Sequence, residues 1–544
     1  MKSAKITVIC ILTSALVFAS AYQAEKVYAK QPSSSNTVKV GIYYSIPGKD
    51  TSIYSCANIS HSGFEIGYSD SKKFIKLFEF DNNKIIVAPS GNFCAKSWES
   101  DMLYPGSMGE IVFGGYHLQL SEIYKTYSAA KAAAENNPNA FVAYSNGKYF
   151  IRIGSFVSYE DAEIEKENHS GSQVVSPSGN GITLCDLEVQ KILFEYDDDI
   201  NSFALQARNN GTVTLPNSYS YFGFFEYLVN NKKLNMINCI ELEQYVKCVM
   251  ANEIGTNASE EVTKAFSILV RTVPLTSKHA EYGFDVCNSS CCQVYKGNYR
   301  ESPINDAIVD STKGKILTYD GSPIYCLYNY SNGGASCSSA AAWGSNTLPY
   351  LTSVFQEEPE GSGFVWQKVF NKDELFKYLK TRNTFSTLRS EIENVEITAT
   401  DPYGSEYVTA FAVSDINGNT VTVYNSAEIR GILEFYSSNF KVHYSFNTPV
   451  TDVDANSEKE YVTSIITAKG VEEIDSFGKT YDVITANGIS KSIKSDLIVF
   501  DGKGKGHGVG FSQVGAEALI SEGYDYAYTL SFYFPGTVLT NIND

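Results

Sequence analysis

Between Asn238 and Arg271 the chain reads NCIELEQYVKCVMANEIGTNASEEVTKAFSILVR, and two helical periods meet there at a single carboxylate. The first period runs through Leu242, Tyr245, Val246, Val249 and Met250, spaced as on one face of a helix. Asn238 with Glu241 three residues on predicts a capping box at its start. Carried further, the spacing reaches Glu253, so that carboxylate is expected on the apolar side of the helix end. A second helix is expected from Ser259, with Glu260 and Glu261 in the first turn where the dipole favours them. Its apolar stripe is Val262, Ala265, Phe266, Leu269 and Val273, and Arg271 projects from it. Burial disfavours the charged form of a carboxyl group and moves its pKa toward the range of a general acid. The same residue also reads as an ordinary helix-end Glu paired with a Lys.

The 544 residues, 43% of them hydrophobic, suffice for two or three domains at roughly 150 residues each. Lys2 and Lys5, an apolar run from Ile6 to Ala19, and small residues at Ala19-Ser20-Ala21 and Val27-Tyr28-Ala29 read as an export signal over residues 1–29. That run falls short of the ~20 residues of a spanning helix. No later stretch reaches that length, so a secreted chain at the cell wall or the outer face of the membrane is expected. A net charge of −18 argues against nucleic acid or an anionic membrane surface as partner. A neutral sugar polymer remains compatible. Of 11 cysteines only Cys10 lies in the leader, and the rest are irregularly spaced, which export would favour as disulfides and a reducing source as free thiols.

Residues 38–110 read as a small β module, with short strands such as VKVGIYYS, KFIKLFEF and KIIVAPS separated by Gly, Asn and Asp turns. From Tyr116 the pattern becomes strand, helix, strand. Within it Tyr149 to Ala162, YFIRIGSFVSYEDA, resembles the SPOR domain, a βαββαβ-type module that binds peptidoglycan glycan strands lacking peptide stems. An unrelated α+β spacer over 115–170 fits the same pattern.

The stretch around Glu253 resembles the signature of the SpoIID/LytB family of bacterial cell-wall proteins, roughly LExYxxGVxxxEMP followed by EALKAQAxAxRTY. Leu242, Glu243, Tyr245, Val249, Glu253, Lys264, Ala265, Arg271 and Thr272 fall on matching positions, whereas Ile254-Gly255, Phe266 and Val273 depart from them. The resemblance continues from about Leu184 to the C-terminus. It takes in a cysteine loop, HAEYGFDVCNSSCCQVYKG, and a glycine turn carrying Tyr328, Asn329, Ser331, Gly333 and Gly334, with Asn329 where His is common. Near the end, FDGKGKGHGVGFSQVGA supplies His507, Ser512 and Gln513. An acidic stretch, 451–495, reads as an insertion. The resemblance implies an α+β fold: a β-rich SpoIID-type catalytic domain over 184–544, its active site on short helices, preceded by the small β module and the SPOR-like module.

The implied activity is that of an exported lytic transglycosylase cleaving MurNAc–GlcNAc bonds, in strands stripped of peptide, to leave 1,6-anhydro ends. Glycoside hydrolysis ordinarily uses two carboxylates. Here the C6 hydroxyl of muramic acid is the nucleophile, so one Glu serves as acid and then base. The resemblance assigns that role to Glu253 and substrate binding to Arg271, Tyr328, Asn329, Ser331, Gly333, Gly334, His507, Ser512 and Gln513. An amide at 329 still bonds a sugar hydroxyl but shuttles no proton, and His507 also reads as a turn histidine satisfied by backbone. The alternative, from the LytB side, is a non-catalytic glycan binder that enhances a partner N-acetylmuramoyl-L-alanine amidase. Family members that hold zinc through one His and two Cys imply a structural zinc on His279, Cys287 and Cys292. Only one of the adjacent Cys291 and Cys292 points to such an ion if the segment is extended. A disulfide from Cys287 to Cys292 or Cys337 competes with that expectation.

Overall fold

The computed structural model describes residues 36–254, 258–298, 303–344, 348–358, 364–446, 464–467, 470–474, 480–484 and 490–542. The expected export signal lies outside the described residues, and the expected insertion lies partly outside them. The fold is α+β and rich in strand, and the chain makes two compact units. The first takes the described residues of Met1–Asn257, Phe266–Ile316 and Asn541–Asp544; the second takes Ala258–Ala265 and Leu317–Thr540.

In the first unit a seven-stranded sheet runs in the order Val286–Cys287, Thr37–Tyr43, Lys233–Glu241, Phe224–Asn230, Ser202–Ala207, Phe64–Asp70, Lys73–Phe80. Val38, Val40 and Ile42 are buried in alternation along Thr37–Tyr43. Its antiparallel neighbour Lys233–Glu241 is buried at every residue from Leu234 to Ile240, as a strand covered on both faces must be. Asn238 therefore sits inside a strand. The capping box expected there is not formed, because the strand runs on to Glu241, whose side chain caps the following helix by accepting the Gln244 N–H.

A ten-stranded sheet contains Tyr116–Gln119, Ala140–Ser145, Lys148–Phe156 and Gln173–Val175, interleaved with helices α1 (Tyr127–Ala134) and α2 (Tyr159–Lys166). The order over 116–175 is thus strand, helix, strand, strand, helix, strand. Ala140–Ser145 pairs in parallel with Lys191–Asp197, and Ile182–Asp186 pairs with Lys84–Pro89. The boundaries expected at 110, 170 and 184 consequently separate no compact units. Each segment would leave a bare sheet edge, and the edges are paired with one another instead.

One buried charge cluster fastens that junction. Glu195 accepts from Arg152 Nη1 (2.6 Å) and from the Thr183 hydroxyl (3.1 Å), and its other flank faces His117 Nε2 at 3.1 Å. Burial works against its ionisation, but His117 and Arg152 overcome this and hold the carboxyl down at about 2. A carboxyl depressed in the folded state stabilises the fold above its unfolded pKa, and that stabilisation is lost as pH falls from about 4 through about 2. Thermal unfolding of the wild type and Glu195→Gln is therefore expected to show a gap on the order of 3 kcal/mol at pH 6 that closes toward pH 2. A gap independent of pH would contradict the charge assignment.

The first unit also carries α3 (Leu242–Glu253), most of α4 (Glu260–Thr272) and α5 (Pro303–Ser311). Leu242, Tyr245, Val246, Val249 and Met250 are all buried, as their spacing predicts. α4 is buried on more than its predicted stripe: Ser267, Ile268, Val270, Arg271 and Thr272 are enclosed as well as Phe266 and Leu269.

In the second unit Ser490–Lys503 lies between Val365–Asn371 and Phe440–Phe446, and Ile392–Thr400, Val408–Asp415 and Thr420–Tyr424 form an antiparallel meander. Helices α6 (Ser339–Trp343), α7 (Lys372–Lys380) and α8 (Ser426–Leu433) precede α9 (Gln513–Ser521) and α10 (Tyr526–Tyr533). Trp366, Phe411, Phe435, Phe440 and Phe500 fill the centre of this unit, packed mostly edge to face or tilted.

Candidate functional site

Glu253 is the last residue of α3, half-buried, and its Oε1 accepts the backbone N–H of Val294 at 2.6 Å. Val294 belongs to a short segment laid along α3. On one side of it Gln293 accepts from the Tyr245 hydroxyl (2.8 Å), and on the other the Tyr295 hydroxyl donates to Asn238 Oδ1 (2.6 Å). The rings of Tyr245 and Tyr295 lie 5.4 Å apart. The carboxylate is thus fixed by a peptide group that side chains on both flanks hold in place.

Arg271 is 0% exposed. Its Nε and Nη2 donate to the two oxygens of Glu243 at 2.9 and 2.8 Å, and Nη1 donates to the carbonyl of Lys315 at 3.2 Å. Glu243 also accepts the Gly314 N–H at 3.1 Å. An enclosed guanidinium with this set of partners braces α3 against α4.

The cysteine loop precedes Val294. Val286–Cys287 pairs in parallel with Val40 and Gly41, and Asp285 exchanges hydrogen bonds with Lys39, so the loop is tied to the first described strand. His279, Cys287, Cys291 and Cys292 bring their ligand atoms within 4.8 Å of one another. The expected three donors are joined by Cys291, because Cys292 N–H closes a turn onto Ser289 O (2.9 Å) and the segment is not extended. The Cys291 Sγ to His279 Nε2 distance is 3.7 Å, near the edge of about 3.5 Å that a zinc tetrahedron requires. Three thiols and an imidazole on such a frame fit zinc. Among the described residues every cysteine sulfur is free of a disulfide. Burial would lower His279, yet the flanking thiol groups of Cys287 and Cys291 raise it to about 9, and hydrogen bonds from Cys291 and Cys292 hold Cys287 well below the usual thiol range.

The remaining expected residues lie in the second unit. Tyr328–Asn329 pairs in parallel with Phe511–Ser512, which joins the glycine turn to the C-terminal motif. Asn329 is buried and its amide nitrogen donates to the carbonyls of Val509 and Phe511 (3.4 and 3.3 Å), which shapes the turn. Ser331 and Ser512 are also buried. Their hydroxyls donate to the two oxygens of Glu358 at 2.6 and 3.0 Å, while Ser512 caps α9 by accepting the Gly515 N–H. Gly333 and Gly334 follow directly, and Gln513 opens α9. His507 is half-buried, its Nδ1 accepts the Val509 N–H at 3.0 Å, and desolvation with the nearby Arg430 pushes it down to about 4. It is therefore neutral at ordinary pH, with its proton on Nε2.

Glu358, Glu243, Cys291 and Val294 carry much of this geometry, and of these the sequence offers only Cys291, as the alternative to Cys292 at a zinc. Glu243 sat on a matching position without a role. Glu358 lies outside every motif, and no local signal points to it.

Residues 230–319, which hold α3, α4 and the cysteine loop, match the SpoIID family model, described as Stage II sporulation protein. The chain is 27% identical over 308 residues to a Bacillus subtilis (strain 168) protein named amidase enhancer, an alignment covering 54% of this chain and 40% of that one. It is 27% identical over 320 residues to Stage II sporulation protein D of the same strain, covering 55% of this chain and 75% of the relative. The Stage II sporulation protein D of Bacillus amyloliquefaciens is 26% identical over 322 residues, covering 55% and 73%.

Removing one partner of a buried ion pair costs about 3–5 kcal/mol, because the other charge is left enclosed. Arg271→Met is expected to lose that much in chemical denaturation, and Arg271→Lys is expected to recover only part of it, since an ammonium cannot bridge both oxygens of Glu243. Loss below about 1 kcal/mol would show that Arg271 is not a brace.

Proposed function

We propose that this chain is a lytic transglycosylase acting on peptidoglycan glycan strands, with Glu253 as its acid and base. The observation that carries the proposal is the hold on Glu253: a half-buried carboxylate at the end of α3, fixed by the Val294 N–H, inside the segment that matches the family model. In the reaction its carboxyl proton passes to the glycosidic oxygen as the bond from the anomeric carbon breaks. The C6 hydroxyl of the same muramic acid forms the new bond to that carbon, and its proton passes to the Glu253 carboxylate. The enzyme ends the cycle as it began, and the product carries a 1,6-anhydro ring.

The strand, helix, strand, strand, helix, strand order over 116–175 supports reading that region as a SPOR-like module that brings the chain to strands without peptides. Among the described residues no helix is long and apolar enough to cross a membrane. A structural zinc would be held by His279, Cys287, Cys291 and Cys292. When bound, it would cross-link the loop that leads into Val294.

The relative named amidase enhancer favours a second reading, in which the chain binds glycan and stimulates a partner amidase without cutting. Mass spectrometry of purified, peptide-free strands separates the two. The wild type is expected to generate anhydro ends and Glu253→Gln to lower their rate by ~10²–10⁴-fold with folding intact. Product persisting undiminished in Glu253→Gln would rule out the mechanism, and stimulation of an amidase by both proteins without anhydro product would establish the second reading.

Metal analysis of protein purified under reducing conditions is expected to give about one zinc per chain and markedly less in Cys291→Ser. A wild-type content under about a tenth of an equivalent would exclude the site.

A further inference from the structure

The glycine turn of the second unit also arranges side chains that the proposed chemistry leaves unused. Gly504 N–H donates to Phe364 O (2.6 Å), Lys505 N–H to Ser331 O (2.8 Å) and Gly506 N–H to Tyr436 O (2.9 Å), so three consecutive peptide groups are stitched to three different segments. Only glycine suits the flanking positions. Gly504 and Gly506 have φ of +83° and +128°, and a Cβ would meet Ser331 O at 2.9 Å or Asn329 Cβ at 2.6 Å.

Each stitched segment carries an aromatic ring to the same place. Phe364 lies edge-on to Tyr330 and Tyr436, with centroids 6.4 and 4.9 Å away. The exposed Lys505 holds its Nζ 5.6 Å from the Tyr330 centroid and 5.2 Å from that of Phe364. Tyr330 and Tyr436 remain 48% and 45% exposed.

Among the described residues Lys505 forms no ion pair, and neither does Arg430, whose Nε donates to the Tyr436 carbonyl that also accepts from Gly506. In a chain with 61 acidic and 43 basic residues, two cations beside half-exposed aromatic rings thus have no carboxylate partner among the described residues. Aromatic faces suit the apolar face of a pyranose, and an unpaired ammonium on such a platform suits an anionic substituent of the same ring.

We propose that Lys505, with Tyr330, Phe364 and Tyr436, forms a subsite for a sugar ring bearing a carboxylate. Resting on the reading of the chain as a glycan-strand enzyme, that ring is a muramic acid whose lactyl group ends in a free carboxylate after its peptide has been removed. A muramic acid that still carries its peptide presents a neutral amide at that atom. Lys505 is then the residue that distinguishes stripped strands from intact ones.

The test measures binding of three probes to the full mature chain: amidase-treated glycan strands, the same strands with lactyl carboxylates converted to methylamides, and wall teichoic acid. The wild type is expected to bind the carboxylate strands about tenfold more tightly than the methylamides. Lys505→Gln should bring the two within about twofold by weakening only the carboxylate strands, and Lys505→Arg should keep the preference. As Lys505 is exposed, both variants are expected to fold as the wild type does. Equal wild-type affinity for carboxylate and methylamide strands, with anhydro product still formed, overturns the subsite and leaves the proposed function standing. Teichoic acid bound as tightly as stripped strands also overturns it, as a general anion surface. Failure to bind any glycan overturns both.

Discussion

The bidentate pair between Arg271 and Glu243 is the constraint on which the geometry around Glu253 depends. Both groups leave water, so the pair holds only because every strong donor finds an acceptor: two carboxylate oxygens, the Lys315 carbonyl and, from the other side, the Gly314 N–H onto Glu243. Glu243 stands in the first turn of α3 and Arg271 in the last turn of α4. The pair therefore sets where α3 begins, and the helix being rigid, where its last residue Glu253 comes to lie.

The far end of α3 is fixed by a different kind of contact. Val294 offers a backbone N–H, and that peptide is positioned by Gln293 and Tyr295 on either side and by the cysteine loop before it. A carboxylate held by a peptide group has less freedom than one held by a long side chain, which suits the acid and base role proposed for Glu253. The cysteine loop in turn leans on the strand Thr37–Tyr43. The hold on Glu253 thus reaches back to the first residues described.

The sequence made α3 and α4 legible because their apolar period is local and each buried position can be counted from the last. Glu253 followed from the same count. What it hid was non-local or depended on a turn. Asn238 looked like a cap, but it lies in a strand buried at every residue from Leu234 to Ile240, where no alternation of polarity marks the strand. Cys291 was set aside because adjacent side chains diverge in an extended chain, and the turn onto Ser289 removes that premise. Nothing in a linear pattern reports that the charge of Arg271 is enclosed. Strands far apart in the chain pair across positions 110, 170 and 184, which a linear pattern does not report.

The stitching of Gly504, Lys505 and Gly506 separates two tasks that most loops combine. Peptide groups and two glycines carry the shape of the backbone, and the hydrogen bonds that hold it use the main chain at 505 and leave the side chain out. Such a loop behaves as a socket with an exchangeable fitting: a single codon can change what the surface displays while the socket keeps its form. The cost of altering preference at this position is then separated from the cost of remaining folded, so the surface can diversify faster than the core beneath it.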